Sequence, residues 1–282
     1  MEVFIKKQNI EAVINTKGAE LFSLKKDGKN YIWDVNTDFW NKTSPILFPI
    51  VGALKNGKYQ YNNKTYQLPR HGFARDLEFE IISKNEDAVT FSLRYSDETL
   101  KVYPFQFELR ISYILDEGKL LIKYDIINLS DEKMHYSIGA HPAFSVDGNF
   151  EEYSLIFDEE KELETYKLDK DLFSGKTEKV LLKGKELPLN YGLFAKDALV
   201  FKNSATQSLA LIKNNQPVLK VEFSEFPYLG IWTKENAPFL CIEPWLGIAD
   251  NVDSTGNLTQ KEGINTLDPK TEKSVSWTVE LF

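Results

Sequence analysis

The stretch Phe105–Ile126, FQFELRISYILDEGKLLIKYDI, alternates apolar and polar side chains with a period of two. Phe105, Phe107, Leu109, Ile111 and Tyr113 fall on one side of an extended chain, and Gln106, Glu108, Arg110 and Ser112 on the other. Successive side chains of a strand point to opposite faces, so this pattern describes a strand with one buried and one polar face. Asp116-Glu117-Gly118 supplies a turn, after which Leu120, Ile122, Tyr124 and Ile126 repeat the pattern. Two such strands joined by a turn predict an antiparallel sheet whose apolar face packs on a second layer.

The signal continues in both directions. Val89, Phe91, Leu93 and Tyr95 form a preceding strand face, and Val275, Trp277, Val279 and Leu281 a late one. Val3–Ile5, Glu11–Asn15 and Ala19–Lys26 read as short strands, with Asp27-Gly28 as a hairpin turn and strand resuming over Tyr31–Val35. The proline-rich run Pro45–Gly52 reads as extended chain beside a cavity, and Lys58–Tyr61 with Thr65–Leu68 as a hairpin. Pro217–Phe223 and Tyr228–Trp232 are further strands. The polar run from Glu151 through Asp171 to Lys185 reads as edge strands and surface loops without a functional signal. Helical signals are short, no repeat or linker divides the chain, and neither GxGxxG nor a Walker loop occurs. The expectation is one all-β domain over residues 1–282, a large antiparallel sandwich.

The 42 acidic and 34 basic residues leave a net charge of -8, which disfavours nonspecific nucleic-acid or anionic-membrane binding. Neither a signal peptide nor an apolar run of about twenty residues is evident, so a cytoplasmic location is expected. The single cysteine, Cys241, excludes an intrachain disulfide and a cysteine-rich zinc site, and its apolar surroundings read as packing.

Four stretches carry chemistry. In Ala237–Asp250, APFLCIEPWLGIAD, an apolar run delivers Glu243 just before Pro244 and Trp245. This reads as a general base at a strand end or as a strand-end carboxylate facing water. In Pro69–Ile81, PRHGFARDLEFEI, His71 and Arg75 share a side if the chain is extended; the alternative is a solvated arginine and a backbone-satisfied histidine. In Met134–Val146, MHYSIGAHPAFSV, either His135 or His141 can enter a site, and Phe144 can form an apolar wall. In Tyr191–Phe201, Asp197 stands at the start of a strand, as a site carboxylate or a turn residue. His71 and His141 form no recognised metal motif, and no metal or cofactor is expected.

The ordered set SPILFPIVG, LPRHGFARDLEF, SIGAHPAF, FPYLGIW and FLCIEPWLGIAD resembles the aldose 1-epimerase, or galactose mutarotase, family, and within it the bacterial LacX-type branch. The resemblance implies a galactose mutarotase-like β-supersandwich that interconverts sugar anomers without a cofactor. It implies His141 beside the ring oxygen, His71 as its companion and Glu243 as the catalytic glutamate. Arg75 and Asp197 would bind the sugar. Phe144 and Trp245 read, from the residues themselves, as apolar walls or equally as core side chains. The chain departs from the family at Ala53, where members often carry arginine, and around Asp197, which lacks the usual following histidine.

Mutarotation opens and recloses a cyclic hemiacetal: one group removes the anomeric hydroxyl proton while another protonates the ring oxygen. Ordinary pKa values of about 4.3 for glutamate and about 6.5 for histidine make Glu243 the base, and a nearby carboxylate would favour protonated His141 as the acid. Two other readings fit the same residues. One is a 1-epimerase of phosphorylated hexoses, with Arg70, Arg75 and the lysines of Lys55–Lys64 meeting the phosphate. The other is a noncatalytic carbohydrate-binding or sugar-sensing protein. The partner in each case is a small aldose, and the chain is expected to be a monomer or homodimer.

Overall fold

A computed structural model of the chain describes residues 1–158, 162–203 and 205–282; residues 159–161, within the polar run that begins at Glu151, and residue 204 lie outside the described residues. The strands expected within Phe105–Ile126 form as Phe107–Asp116 and Lys119–Asn128, antiparallel, with Leu109 opposite Ile126 and Ile111 opposite Tyr124. Their apolar faces are buried as the alternation requires. The other face is less bare than expected: Glu108 is buried, accepting hydrogen bonds from Ser92 Oγ and Arg110 Nε.

These strands lie inside a nine-stranded antiparallel sheet. Its spatial order is Glu186–Pro188, Tyr153–Phe157, Ser208–Lys213, Gln216–Glu222, Glu272–Leu281, Lys119–Asn128, Phe107–Asp116, Ala88–Arg94 and Glu80–Lys84. The late strand Glu272–Leu281 therefore sits in the middle, between strands that precede it by scores of residues. A four-stranded sheet from the first 30 residues flanks this body, and one apolar cluster runs from Val3 to Leu281. Asp27 and Gly28 both adopt positive φ, as the tight hairpin turn requires. Tyr31–Val35 does not resume a strand. The hairpin closes on Lys29–Asn30, and only Ile32 then makes a bridge, to Phe144. Among the described residues, the one α-helix is Asp97–Val102, started by a Ser96–Thr99 capping box, and no helix is long and apolar enough to cross a membrane.

A second, six-stranded sheet positions the site. The strand Phe239–Leu246 lies beside Tyr228–Trp232, which continues to Leu199–Lys202; its other side meets Ala143–Ser145 and Ile138–Ala140, then Ile46–Leu47. Glu243 is thus inside a strand and not at its end, because Pro244 does not stop the chain. The reason lies across the sheet. Ile138 pairs with Leu246 and Gly139 with Trp245; beyond a gap, Ala143 pairs with Cys241 and Phe144 with Leu240. The same register carried through the gap sets His141 opposite Glu243, with Pro142 opposite Ile242 and Pro244 opposite Ala140. Two prolines, which lack the N–H a ladder needs, fall where that ladder is interrupted.

Candidate active site

Period-two alternation sorts the strand Phe239–Leu246 into two sides. Leu240 and Ile242 join the main core, whereas Glu243 and Trp245 face the other way and line a cleft; Cys241, on their side, is buried with Trp33 and Phe239. The neighbouring segment sorts in step: His141 faces the cleft, and Phe144, three residues on, does not. Phe144 is fully buried opposite Leu240 in the core, so it forms no wall of the site. The wall it was expected to supply comes from Trp40 and Trp232. Trp40 stacks on the His141 ring with centroids 4.8 Å apart, and Trp232 meets that ring edge-on at 6.0 Å.

Trp245 forms part of the floor, and two glycines make room for it. A Cβ on Gly230 would stand 2.5 Å from the indole, and one on Gly139 would stand 2.7 Å from it. His71 arrives from a different direction. It does not lie on an extended segment with Arg75, because His71 and Gly72 both adopt positive φ and the chain turns into a short 3-10 helix at Ala74–Asp76. Gly72 crosses the backbone at Phe48 so closely that a Cβ would meet the Phe48 carbonyl oxygen at 2.2 Å. His71 and Arg75 nevertheless both line the cleft. The Arg75 guanidinium donates to the Arg70 carbonyl oxygen at 2.9 Å.

The space in the cleft, with its open mouth counted, is about 830 Å³. On its floor His141 Nε2 stands 3.3 Å from Glu243 Oε2, and the His71 and His141 rings meet edge to face at 5.8 Å. Glu243 is only 2% exposed and His141 9%. Burial against the tryptophans pushes the Glu243 carboxyl up to about 8, with the Arg70 charge partly offsetting it. Burial likewise pulls His141 down to about 3, and the Arg70 charge adds to this. Burial thus works against the carboxylate-stabilised imidazolium, because desolvation favours the neutral form of each group.

His71 is also held neutral, its pKa well below the usual histidine value through burial and the adjacent His141 and Arg70. The Gly52 N–H donates to its Nδ1 at 3.1 Å, and Arg70 Nε lies 3.1 Å from its Nε2. The Arg70 Nε–H is itself a donor, so a neutral imidazole, with one ring lone pair, accepts from Gly52 or from Arg70 but not from both. The Gly52 turn is braced from behind. Buried Asp250 accepts from Lys261 Nζ at 2.8 Å and from the Lys55 N–H at 2.9 Å, and its own N–H donates to the Ala53 carbonyl. Ala53 itself is outside the cleft lining.

At the mouth, Asp197 lines the cleft while its carboxylate accepts from the Ala198 N–H at 2.7 Å. Arg70 pairs with Asp171 at 2.8 Å. Asp171 stands at the turn between Leu163–Asp169 and Leu172–Val180, whose Leu168 and Phe173 also line the cleft. The polar run read as lacking a functional signal therefore contributes three lining residues. Their signal is hidden in the sequence because a surface hairpin and a hairpin folded over a cleft share the same composition. Of the basic groups considered for a phosphate, Arg70 and Arg75 line the cleft and the lysines of Lys55–Lys64 do not.

An all-β body of large antiparallel sheets, with a histidine and a carboxyl group on the floor of a cleft, has the galactose mutarotase-like architecture. A model of the aldose 1-epimerase family matches residues 2–262, and the chain belongs to that family. It is 34% identical to protein LacX (chromosomal) of Lactococcus lactis subsp. lactis, over the full length of both chains. A galactose mutarotase related enzyme from Lactobacillus acidophilus has 32% identity and a TM-score of 0.94, covering 100% of this chain and 97% of that one. A galactose mutarotase-like protein from Lactobacillus casei has 31% identity and a TM-score of 0.93, with both chains fully covered. Membership makes the protein an isomerase of the aldose-epimerase type with a sugar substrate.

Proposed function

We propose that this protein interconverts the α and β anomers of an aldose, with Glu243 and His141 exchanging protons with the two oxygens on the anomeric carbon. The observation that carries the reading is the 3.3 Å approach of His141 Nε2 to Glu243 Oε2 at the base of an open cleft. Two oxygens bonded to one carbon are close together, so two neighbouring proton-transfer groups suit them.

The pair holds one proton over a wide range around neutral pH, on Glu243 when the cleft is dry. Sugar hydroxyls entering beside it replace lost hydration, and the same proton then resides on His141 without any change in the pair's total charge. Glu243 takes the proton of the anomeric hydroxyl, His141 gives its proton to the ring oxygen, and the ring opens to an aldehyde. Rotation about the adjacent carbon–carbon bond presents the other face, and the reverse transfers close the ring. His71 binds in the ring-oxygen region, Arg70, Arg75 and Asp197 bind hydroxyls, and Trp245 carries the apolar face of the ring.

A phosphorylated aldose is the second reading, favoured by Arg70 and Arg75 at the mouth. NMR exchange measurements starting from isolated anomers of glucose, galactose and their 6-phosphates test both. Acceleration of free sugars is expected. Acceleration confined to the phosphates would select the second reading, and binding without acceleration of any anomer would overturn both in favour of a sugar sensor.

A further inference from the structure

Trp245 packs as an apolar residue, but it has one polar side-chain atom, Nε1, and that atom is buried without a hydrogen bond among the described residues. A buried indole N–H ordinarily finds an acceptor, and it can only donate. Two glycines set its position. A Cβ on Gly139, which pairs with Trp245 from one neighbouring strand, would stand 2.7 Å from Cδ1; a Cβ on Gly230, which pairs with Glu243 from the other, would stand 3.2 Å from Cε2. Nε1 is bonded to both of those ring atoms. The indole therefore leans from its own position toward Glu243, and its N–H lies above the strand Phe239–Leu246, between that strand's two neighbours. Glu243 is the adjacent side chain on this face, two residues back.

Several groups act on Glu243. His141 faces it at 3.3 Å. Burial is the largest influence on the Glu243 carboxyl and opposes its ionisation; the Arg70 charge and the Trp245 indole N–H favour ionisation, and the Asp197 charge opposes it. Cys241, on the same side of the strand, is a thiol kept protonated by burial. Arg70 already donates to Asp171 and lies against His71. Within this set the indole is the neutral donor of fixed orientation.

We infer that the Trp245 indole N–H closes on the Glu243 carboxylate whenever that group is ionised, which makes Trp245 the positioning residue for Glu243 as a base. The role in turnover rests on the proposed anomerisation; the contact itself does not. A hydrogen bond to a charged acceptor is stronger than one to a neutral acceptor, so the contact tightens as the proton leaves Glu243 and relaxes as it returns.

Proton–nitrogen NMR spectra of the full chain across pH, without sugar, test the contact. The Trp245 signal is singled out from the five indoles by its loss in Trp245→Phe, or by its nuclear Overhauser contacts to Gly139 and Gly230. Its proton should move downfield as the Glu243 carboxyl, followed by its own carbon signal, ionises, and should stay still in Glu243→Gln. Trp245→Phe keeps a ring and removes the N–H. In that variant the alkaline limb of the rate profile should move to higher pH. Its kcat should fall about 10–100-fold, the size of a hydrogen bond to a charged group, with KM changed less. An indole proton that stays still while Glu243 ionises, or that moves equally in Glu243→Gln, would overturn the inference. The wild-type titration decides the matter even if a variant folds poorly. A titrating indole in a protein that turns over no anomer would overturn the anomerisation reading and leave the contact standing.

Discussion

His141 and Glu243, on the floor of the cleft, are held by strand register and shielded by tryptophans; Arg70 and Asp171, at its mouth, are held by turns and stand about half exposed. The floor is dry enough to move both titrating groups far from their ordinary values, in opposite directions. At the mouth, solvent screens the ion pair, and an exposed pair of this kind contributes little to stability. The same two kinds of charge therefore do different work. Under the proposed mechanism, the missing hydration shell on the floor lets one proton pass between partners and onto a substrate. Under the same proposal, the hydrated pair at the mouth exchanges for sugar hydroxyls at small cost.

The sharpest way to break this contrast is to remove the floor groups one at a time. Glu243→Gln and His141→Asn should each slow anomerisation by about 10²–10⁴-fold, read by polarimetry or NMR exchange, with the circular dichroism spectrum unchanged. Wild-type rates in either variant would end the acid–base assignment. The pH dependence of turnover separates floor from mouth further. Turnover requires one proton on the pair, so it should fall as pH rises through about 8. Stability should follow the same group. The Glu243 pKa is raised on folding, so its stabilising effect is complete below the ordinary carboxyl range and is lost as pH rises through about 8. Glu243→Gln lacks that loss, and its Tm relative to wild type should climb between pH 5 and pH 8. Parallel Tm curves would show that Glu243 is not desolvated.

Gly230→Ala tests the floor's shape in place of its charge. The added methyl collides with Trp245 and should cost about 1–3 kcal/mol of stability, with KM rising as the indole is displaced. The smallest effect belongs to the mouth. Asp171→Asn should change stability by less than about 1 kcal/mol and alter KM more than kcat. A loss comparable to that of Glu243→Gln would mean that the hairpin takes part in the chemistry.

The contrast between floor and mouth also separates what the chain alone reveals from what it hides. The all-β class is legible because alternation over Phe105–Ile126 and Val275–Leu281 is a local property. Glu243 and His141 stand out through the family resemblance, but their relation does not, since register is not written in either segment. Each is followed by a proline, and the two prolines mark the break in the ladder. Phe144 falls outside the site by parity: three residues from His141 along extended chain is the opposite face. Asp171 and Trp40 escape sequence reading because turns have no period, and what they cover depends on where distant strands lie. The protonation of His141 differs from expectation because burial, unlike a neighbouring carboxylate, cannot be counted along a sequence.

The place of Glu272–Leu281 in the middle of the nine-stranded sheet has a consequence for how the molecule is made. Lys119 pairs with Glu280, and Leu219 with Leu281. During synthesis, the earlier hairpins can close as they emerge, but the two halves of that sheet have no common strand until residues 272–281 have left the ribosome. Until then, two strand edges wait unpaired. That zipping joins partners about 150 residues apart in one direction and about 60 in the other, long-range pairings of the kind that form slowly.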